Sequence, residues 1–166
     1  AWRKPVPSLS IVLVTDPAGA DGGAMSHVWS LLADERGRKG VPLGVYLPPD
    51  ANSLLCVAEQ CLRSVAMINL ILISGNRQPQ WLSLQAAREQ CGSGASSWDW
   101  AGSGGATPEV VLAAAGDLSM IETLAAAQIL RREVPDLRTR VVSVMDALSL
   151  LSRVGSQRGP ADDAAG

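Results

Sequence analysis

Phenylalanine is missing from this 166-residue chain, tyrosine and histidine occur once each, and the aromatic content rests on five tryptophans. With His27 as its only histidine, the chain offers no Ser/His/Asp set to nominate, and no cluster of metal ligands stands out. A lone histidine is more often a structural or surface residue than a catalytic one. Cysteine is scarce too. Cys56, Cys61 and Cys91 are odd in number and match no metal or redox spacing. Cys56 and Cys61 lie five apart on one expected helix and do not face each other, so all three read as buried free thiols of a reducing cytoplasm. No apolar run approaches the ~18 residues of a membrane-spanning helix. The opening "AWRKPVPSLSIVLVTD" is a poor signal peptide, because its short apolar run is broken by Asp16. The first residue is not Met, and a processed or partial chain is expected. Neither sign of charge dominates: the net charge of -2 gives no electrostatic case for nucleic acid or an anionic membrane as partner.

What is present suits a folded α/β protein. Apolar residues make up 47% of the chain, enough for a sizeable core. Near-continuous apolar runs predict strands over Ser10–Val14, Leu43–Leu47, Ile68–Ser74, Glu109–Ala115 and Arg140–Met145, as in a parallel sheet covered on both faces. Helices are expected over Met25–Asp34, Ala51–Val65, Leu82–Cys91, Ser119–Glu133 and Ala147–Val154, and the alternation points to α/β architecture. In "VYLPPDANSLLCVAEQCLRS" the prolines end a strand and Asp50 or Asn52 caps the helix. Its apolar face is expected to be Leu54, Ala58, Cys61, Leu62 and Val65. Ser119 and Glu122 form a capping box for the fourth helix, which Pro135 and Asp136 stop. "GSGASSWDWAGSGGAT", from Gly92 to Thr107, is Gly/Ser-rich and marks a domain boundary. Its two tryptophans predict that it packs on a neighbouring surface. The tail from Ser156 reads as disordered. The Asp-Gly-Gly at Asp21–Gly23 matches neither a Walker loop nor a dinucleotide fingerprint. Gly116, Asp117 and Ser119 stand at a strand-to-helix turn whose N–H groups suit an anion, against which the capping box already satisfies that helix start.

Several segments carry a resemblance. "VYLPPDANSLLCVAEQCLRS", "WRKPVPSLSIVL" at Trp2–Leu13, "GNRQPQWLSLQAA" at Gly75–Ala87, and the long run from "WDWAGSGGATPEVVLAAAGDLS" at Trp98 to Leu150 are similar, in order, to the phosphoketolases that act on xylulose 5-phosphate and fructose 6-phosphate. The resemblance implies a transketolase-like α/β fold in two partial domains. Residues 1–91 would be the end of the domain that contacts the aminopyrimidine ring of thiamine diphosphate, and 92–107 a Gly/Ser/Trp linker. Residues 108–155 would be a truncated C-terminal domain, followed by a disordered tail over 156–166. Family members split a ketose phosphate with inorganic phosphate, giving acetyl phosphate and a shorter aldose phosphate. Thiamine diphosphate supplies the carbanion chemistry and Mg²⁺ clamps its diphosphate.

The departures from the family pattern are equally specific. After its first strand the family carries a segment close to Gln-Asp-His-Asn-Gly-Phe-Ser-His-Gln-Asp-Pro, whose two histidines and Asn line the substrate site. Here "ADGGAMSHVWS" stands in its place. Asp21, Ser26 and His27 match. Ala20, Gly22 and Gly23 replace the Gln, the first His and the Asn, and a glycine can neither move a proton nor donate a side-chain hydrogen bond. The resemblance therefore implies a vestigial catalytic role for His27. A family lysine that contacts substrate phosphate falls near Asn76–Arg77, where Arg77 keeps the charge and binds phosphate by its fork. The Gly-Asp-Gly…Asn segment for Mg²⁺ and diphosphate does not occur in these residues, so no cofactor-binding or metal-binding residue is assigned.

The expectation is thus a phosphoketolase-family fragment: a piece of a thiamine diphosphate-dependent aldehyde-lyase of carbohydrate metabolism, cytoplasmic and inactive alone. Its partner would be the missing cofactor-binding domain or an intact phosphoketolase subunit, with homo-oligomers only in the full-length context. The alternatives are a non-catalytic dimerisation or interaction module, and one subunit of a split enzyme.

Overall fold

The computed structural model describes residues 6–15, 30, 42–105 and 107–149. Along the chain run β1 (Leu9–Thr15), β2 (Leu43–Tyr46), α1 (Ala51–Arg63), β3 (Ile68–Ser74), α2 (Leu84–Cys91), β4 (Ala95–Ser97), β5 (Val110–Ala115), α3 (Asp117–Glu133) and β6 (Thr139–Val144). They build two three-stranded sheets. The first has the order β1-β3-β2 and is parallel throughout. The second has the order β4-β6-β5, with β5 parallel and β4 antiparallel to β6.

α1 covers one face of the first sheet, where Val57 and Cys61 pack with Tyr46 and Ile71. On the other face Val45, Leu47, Leu70 and Leu72 meet Ala115, Ala147 and Leu148 from the second half of the chain. The sheets are joined at their edges: the N–H of Leu47 donates to the carbonyl of Met145 at 2.8 Å, and Tyr46 bridges Asp146. A third cluster ties α1 and α2 to the second sheet through Cys56, Leu82, Trp98, Met120 and Val141.

The expected alternation of strands and helices holds, with local corrections. The outer strand β1 exposes Leu9, Ile11, Val12 and Val14 and is not covered on both faces. α1 is rotated from the expected face. It buries Asn52, Ser53, Cys56, Val57 and Cys61, while Leu62 is 82% exposed and Val65 lies beyond the helix end. In the first turn the polar Asn52 and Ser53 are buried, which apolar periodicity does not register. The Asn52 amide donates to the Leu82 carbonyl at 2.7 Å. The Ser119–Glu122 capping box does not form either. α3 starts two residues earlier, with Gly116 as N-cap at φ 85° and no side-chain cap bond. Its end is as expected, since the residue before Pro135 is forced out of the helical region.

Within Gly92–Thr107, residues 95–97 form β4. Trp98 is buried, edge-on to Trp81 at 5.8 Å and stacked on Trp100 at 5.3 Å. The helix expected over Met25–Asp34 falls almost wholly outside the described residues, as does most of the one over Ala147–Val154, and the tail from Ser156 lies outside them too.

Candidate functional site

In open parallel sheets ligands bind at the carboxyl ends of the strands. At that edge of the first sheet β3 ends in Ser74, and the exposed residues Gly75, Asn76 and Arg77 follow. Two buried carboxylates fix this connection from different elements. Asp50 sits at the N-cap of α1, after two buried prolines. Its Oδ1 accepts the N–H of Ser53 at 2.8 Å, which caps the helix. Its Oδ2 accepts the N–H groups of Trp81 at 3.0 Å and Leu82 at 2.9 Å. The N–H of Ala51 adds a bond to the Pro79 carbonyl at 2.9 Å.

Asp117 holds the other end. It is the first residue of α3 and only 6% exposed. Its Oδ2 accepts the Ser74 hydroxyl at 2.5 Å, the Gln78 amide at 2.5 Å and the Ser74 N–H at 3.2 Å. Its Oδ1 accepts the N–H of Leu118 at 2.9 Å. Burial alone would raise the Asp117 carboxyl, but the bonds from Ser74, Gln78 and Leu118 outweigh it and hold it below its ordinary value. Beside it a small crevice of about 150 Å³ opens between Thr15, Leu47, Leu72, Gly116 and Ser119. The strand-to-helix turn offered above for an anion is thus taken by the chain's own carboxylate.

Arg77 extends from the fixed connection into solvent. No hydrogen bond or ion pair to its guanidinium occurs among the described residues. An exposed guanidinium on an anchored loop suits an oxyanion, which it can bind through two parallel N–H bonds. His27 lies outside the described residues, in the segment that follows β1. Of the two expected site residues the structure therefore describes Arg77 alone, and it adds Asp50, Asp117 and Gln78. The Pro-Pro-Asp before α1 and the Gly-Asp after β5 were visible in the sequence as helix-start signals, but not as anchors for a distant loop.

The three thiols are free. Cys56 and Cys91 line an open groove between α1 and α2 with Glu59, Arg63 and Arg88. Burial, then the neighbouring Cys56 and Cys61, push the Cys91 thiol up to about 11. No group of three or more His, Cys, Asp or Glu residues among those described could hold a metal ion. Of the two buried acids described above, Asp50 is taken up by three backbone N–H groups and Asp117 by N–H and O–H donors. The described residues therefore do not fit a Mg²⁺-diphosphate group. Among them, no helix is long and apolar enough to cross a membrane.

Residues 1–64 match the family model for D-xylulose 5-phosphate/D-fructose 6-phosphate phosphoketolase, and residues 76–164 match the XFP C-terminal domain. A probable phosphoketolase of Pseudomonas putida strain F1 is 45% identical over 150 residues, 90% of this chain and 19% of that protein. One from Rhodopseudomonas palustris strain BisB5 is 43% identical with the same coverage, and one from Brucella abortus strain 2308 is 38% identical over 98% of this chain and 21% of that protein. The chain thus spans about a fifth of the length of these curated relatives. Among solved structures, a transketolase variant from Pichia stipitis superposes with a TM-score of 0.57 at 16% identity, over 92% of this chain and 20% of that one. The transketolase from Leishmania mexicana gives 0.54 at 25% identity, over 75% and 17%. The fold is transketolase-like, and the chain belongs to the D-xylulose 5-phosphate/D-fructose 6-phosphate phosphoketolase family.

Proposed function

We propose that this chain is part of a cytoplasmic phosphoketolase-type aldehyde-lyase, spanning the end of the pyrimidine-contacting domain and the start of the C-terminal domain. In that role Arg77 binds the phosphate of a ketose phosphate. The observation that carries this reading is the exposed Arg77 guanidinium on a connection anchored at the carboxyl end of a parallel sheet. Arg77 keeps the positive charge of the lysine in the family motif, and its fork adds bidentate geometry. His27 is the proton-handling residue left of the family segment, with Gly22 and Gly23 in place of its partners. Thiamine diphosphate with Mg²⁺ supplies the carbanion chemistry in such enzymes. Among the described residues none forms a holder for it, and in this reading the 166-residue chain alone neither binds the cofactor nor catalyses.

Titration calorimetry with thiamine diphosphate and Mg²⁺ tests the last point. No heat of binding is expected, and micromolar affinity for the isolated chain would overturn it. The phosphate role is tested by Arg77→Ala, which should abolish saturable binding of fructose 6-phosphate while leaving the melting temperature unchanged.

A further inference from the structure

We propose that Asp117 is a positioning residue for Arg77: its carboxylate fixes the Gly75–Gln78 connection so that the guanidinium is held ready for a phosphate group. The inference rests on the phosphate-binding reading of Arg77 given above. Asp117 comes from the far half of the sequence, yet its Oδ2 collects donors from both sides of the exposed tripeptide. Ser74 donates its hydroxyl at 2.5 Å and its N–H at 3.2 Å from one side. Gln78 donates its side-chain amide at 2.5 Å from the other. The Gly75 N–H is tied to the Thr15 carbonyl at 3.0 Å. Gly75, Asn76 and Arg77, which lie between the Ser74 and Gln78 ties, are all exposed.

Ordering a flexible loop and a long side chain at the moment of binding weakens affinity, and a loop ordered beforehand avoids that loss. A buried carboxylate is a demanding choice for a bond whose only task is to join two sheets, because burying it costs free energy unless donors surround it. Here three of the four donor groups come from the two residues that bracket Gly75–Arg77. The carboxylate is turned inward, 6% exposed, and its charge is met by four hydrogen bonds. It can hold the loop without presenting an exposed anion to an incoming phosphate. Asp117 thus ties the start of α3 to the phosphate-binding loop.

The test is a titration of the 166-residue chain with inorganic phosphate, followed by the backbone amide signals of Gly75, Asn76, Arg77 and Gln78. Saturable, weak binding is expected for the unmodified chain, and its loss in Arg77→Ala. Asp117→Ala should weaken binding about tenfold and broaden the Gly75–Arg77 signals. Asp117→Asn keeps an oxygen acceptor for Ser74 and Gln78 and should recover most of that affinity. In the Arg77→Ala background, Asp117→Ala should have no further effect. If Asp117→Ala fails to fold, Gln78→Ala serves instead, since it leaves the Ser74 bonds in place, and a fewfold loss is expected. Binding lost in Arg77→Ala but unchanged in a folded Asp117→Ala or Gln78→Ala overturns the inference alone. Binding absent in the unmodified chain, or unchanged in Arg77→Ala, overturns the Arg77 reading and the inference with it.

Discussion

The carboxylate of Asp50 accepts the N–H of Leu82 at 2.9 Å, across 32 residues of sequence. One side chain thereby caps α1 and anchors the connection that leads from β3 to α2. Removing it leaves the N–H groups of Ser53, Trp81 and Leu82 without partners. Buried donors left unmade cost about 1–3 kcal/mol each. Asp50→Ala is therefore expected to destabilise the chain by roughly 3–5 kcal/mol in urea unfolding, near the upper end for a point substitution. The hydroxyl of Ser83, the N-cap of α2, accepts the N–H of Ala86, and Ser83→Ala should cost about 1 kcal/mol.

Asp117 gives a pH signature. Its folded-state carboxyl lies below the ordinary value of 3.8. The fold favours its ionised form, so its stabilisation is fully present above 3.8 and is lost as the pH falls through the lower folded value. Thermal melts from about pH 7 down to about pH 2 should find Asp117→Asn less stable than the unmodified chain near neutrality, with the gap closing in strong acid. A gap that widens toward low pH would contradict the hydrogen-bonded carboxylate.

Gly44 lies under the ring of Tyr46. A Cβ at this position would stand 2.7 Å from Tyr46 Cε2 and 2.7 Å from its hydroxyl oxygen. Tyr46 is itself buried, so the ring cannot swing clear without disturbing the core. Gly44→Ala should cost about 1–3 kcal/mol by overpacking. Gly92 is the contrast, with nothing within 4 Å of its Cβ position and an ordinary αR backbone. Gly92→Ala should stay within about 0.5 kcal/mol in the same denaturation experiment.

Cys91 should be a slow nucleophile despite its partial exposure. Burial, with Cys56 and Cys61 close by, places its thiol at about 11. The thiolate is the reactive form, so alkylation by iodoacetamide should rise about tenfold per pH unit and level off only near that value. Mass spectrometry of the labelled peptide checks this. A rate that levels off near pH 8.5 would show an ordinary thiol.

The strands were legible because long apolar runs need burial and little else: Ile68–Ser74 was bounded correctly by pattern alone. β4 was not, since Ala-Ser-Ser carries no apolar signal and exists through its pairing with β6. The apolar count of α1 found Leu54 and Cys61 but missed the rotation of its buried face, because Asn52 is drawn in by its bond to the Leu82 carbonyl and Ser53 sits beside the capping carboxylate of Asp50, which periodicity cannot see. The start of α3 was misplaced for a related reason. Ser-x-x-Glu is a sound capping signal, but Gly116 at positive φ began the helix earlier, and Asp117 turned its carboxylate to Ser74 and Gln78. Arg77 was legible through the family motif. The carboxylates that hold its loop were not, because long-range side-chain bonds leave no local pattern.

Acetyl phosphate formation from fructose 6-phosphate and inorganic phosphate reads both the inactivity of the chain alone and the phosphate role of Arg77. The 166-residue chain alone should form none. The same chain joined to a cofactor-holding domain from the Pseudomonas putida relative, with Gly22→His and Gly23→Asn, should form it. Arg77→Ala in that joined protein should raise KM for the ketose phosphate by at least about tenfold, the loss of a charge-assisted bidentate contact. Acetyl phosphate made by the chain alone would contradict its inactivity, and a KM unmoved by Arg77→Ala would contradict the phosphate role of Arg77.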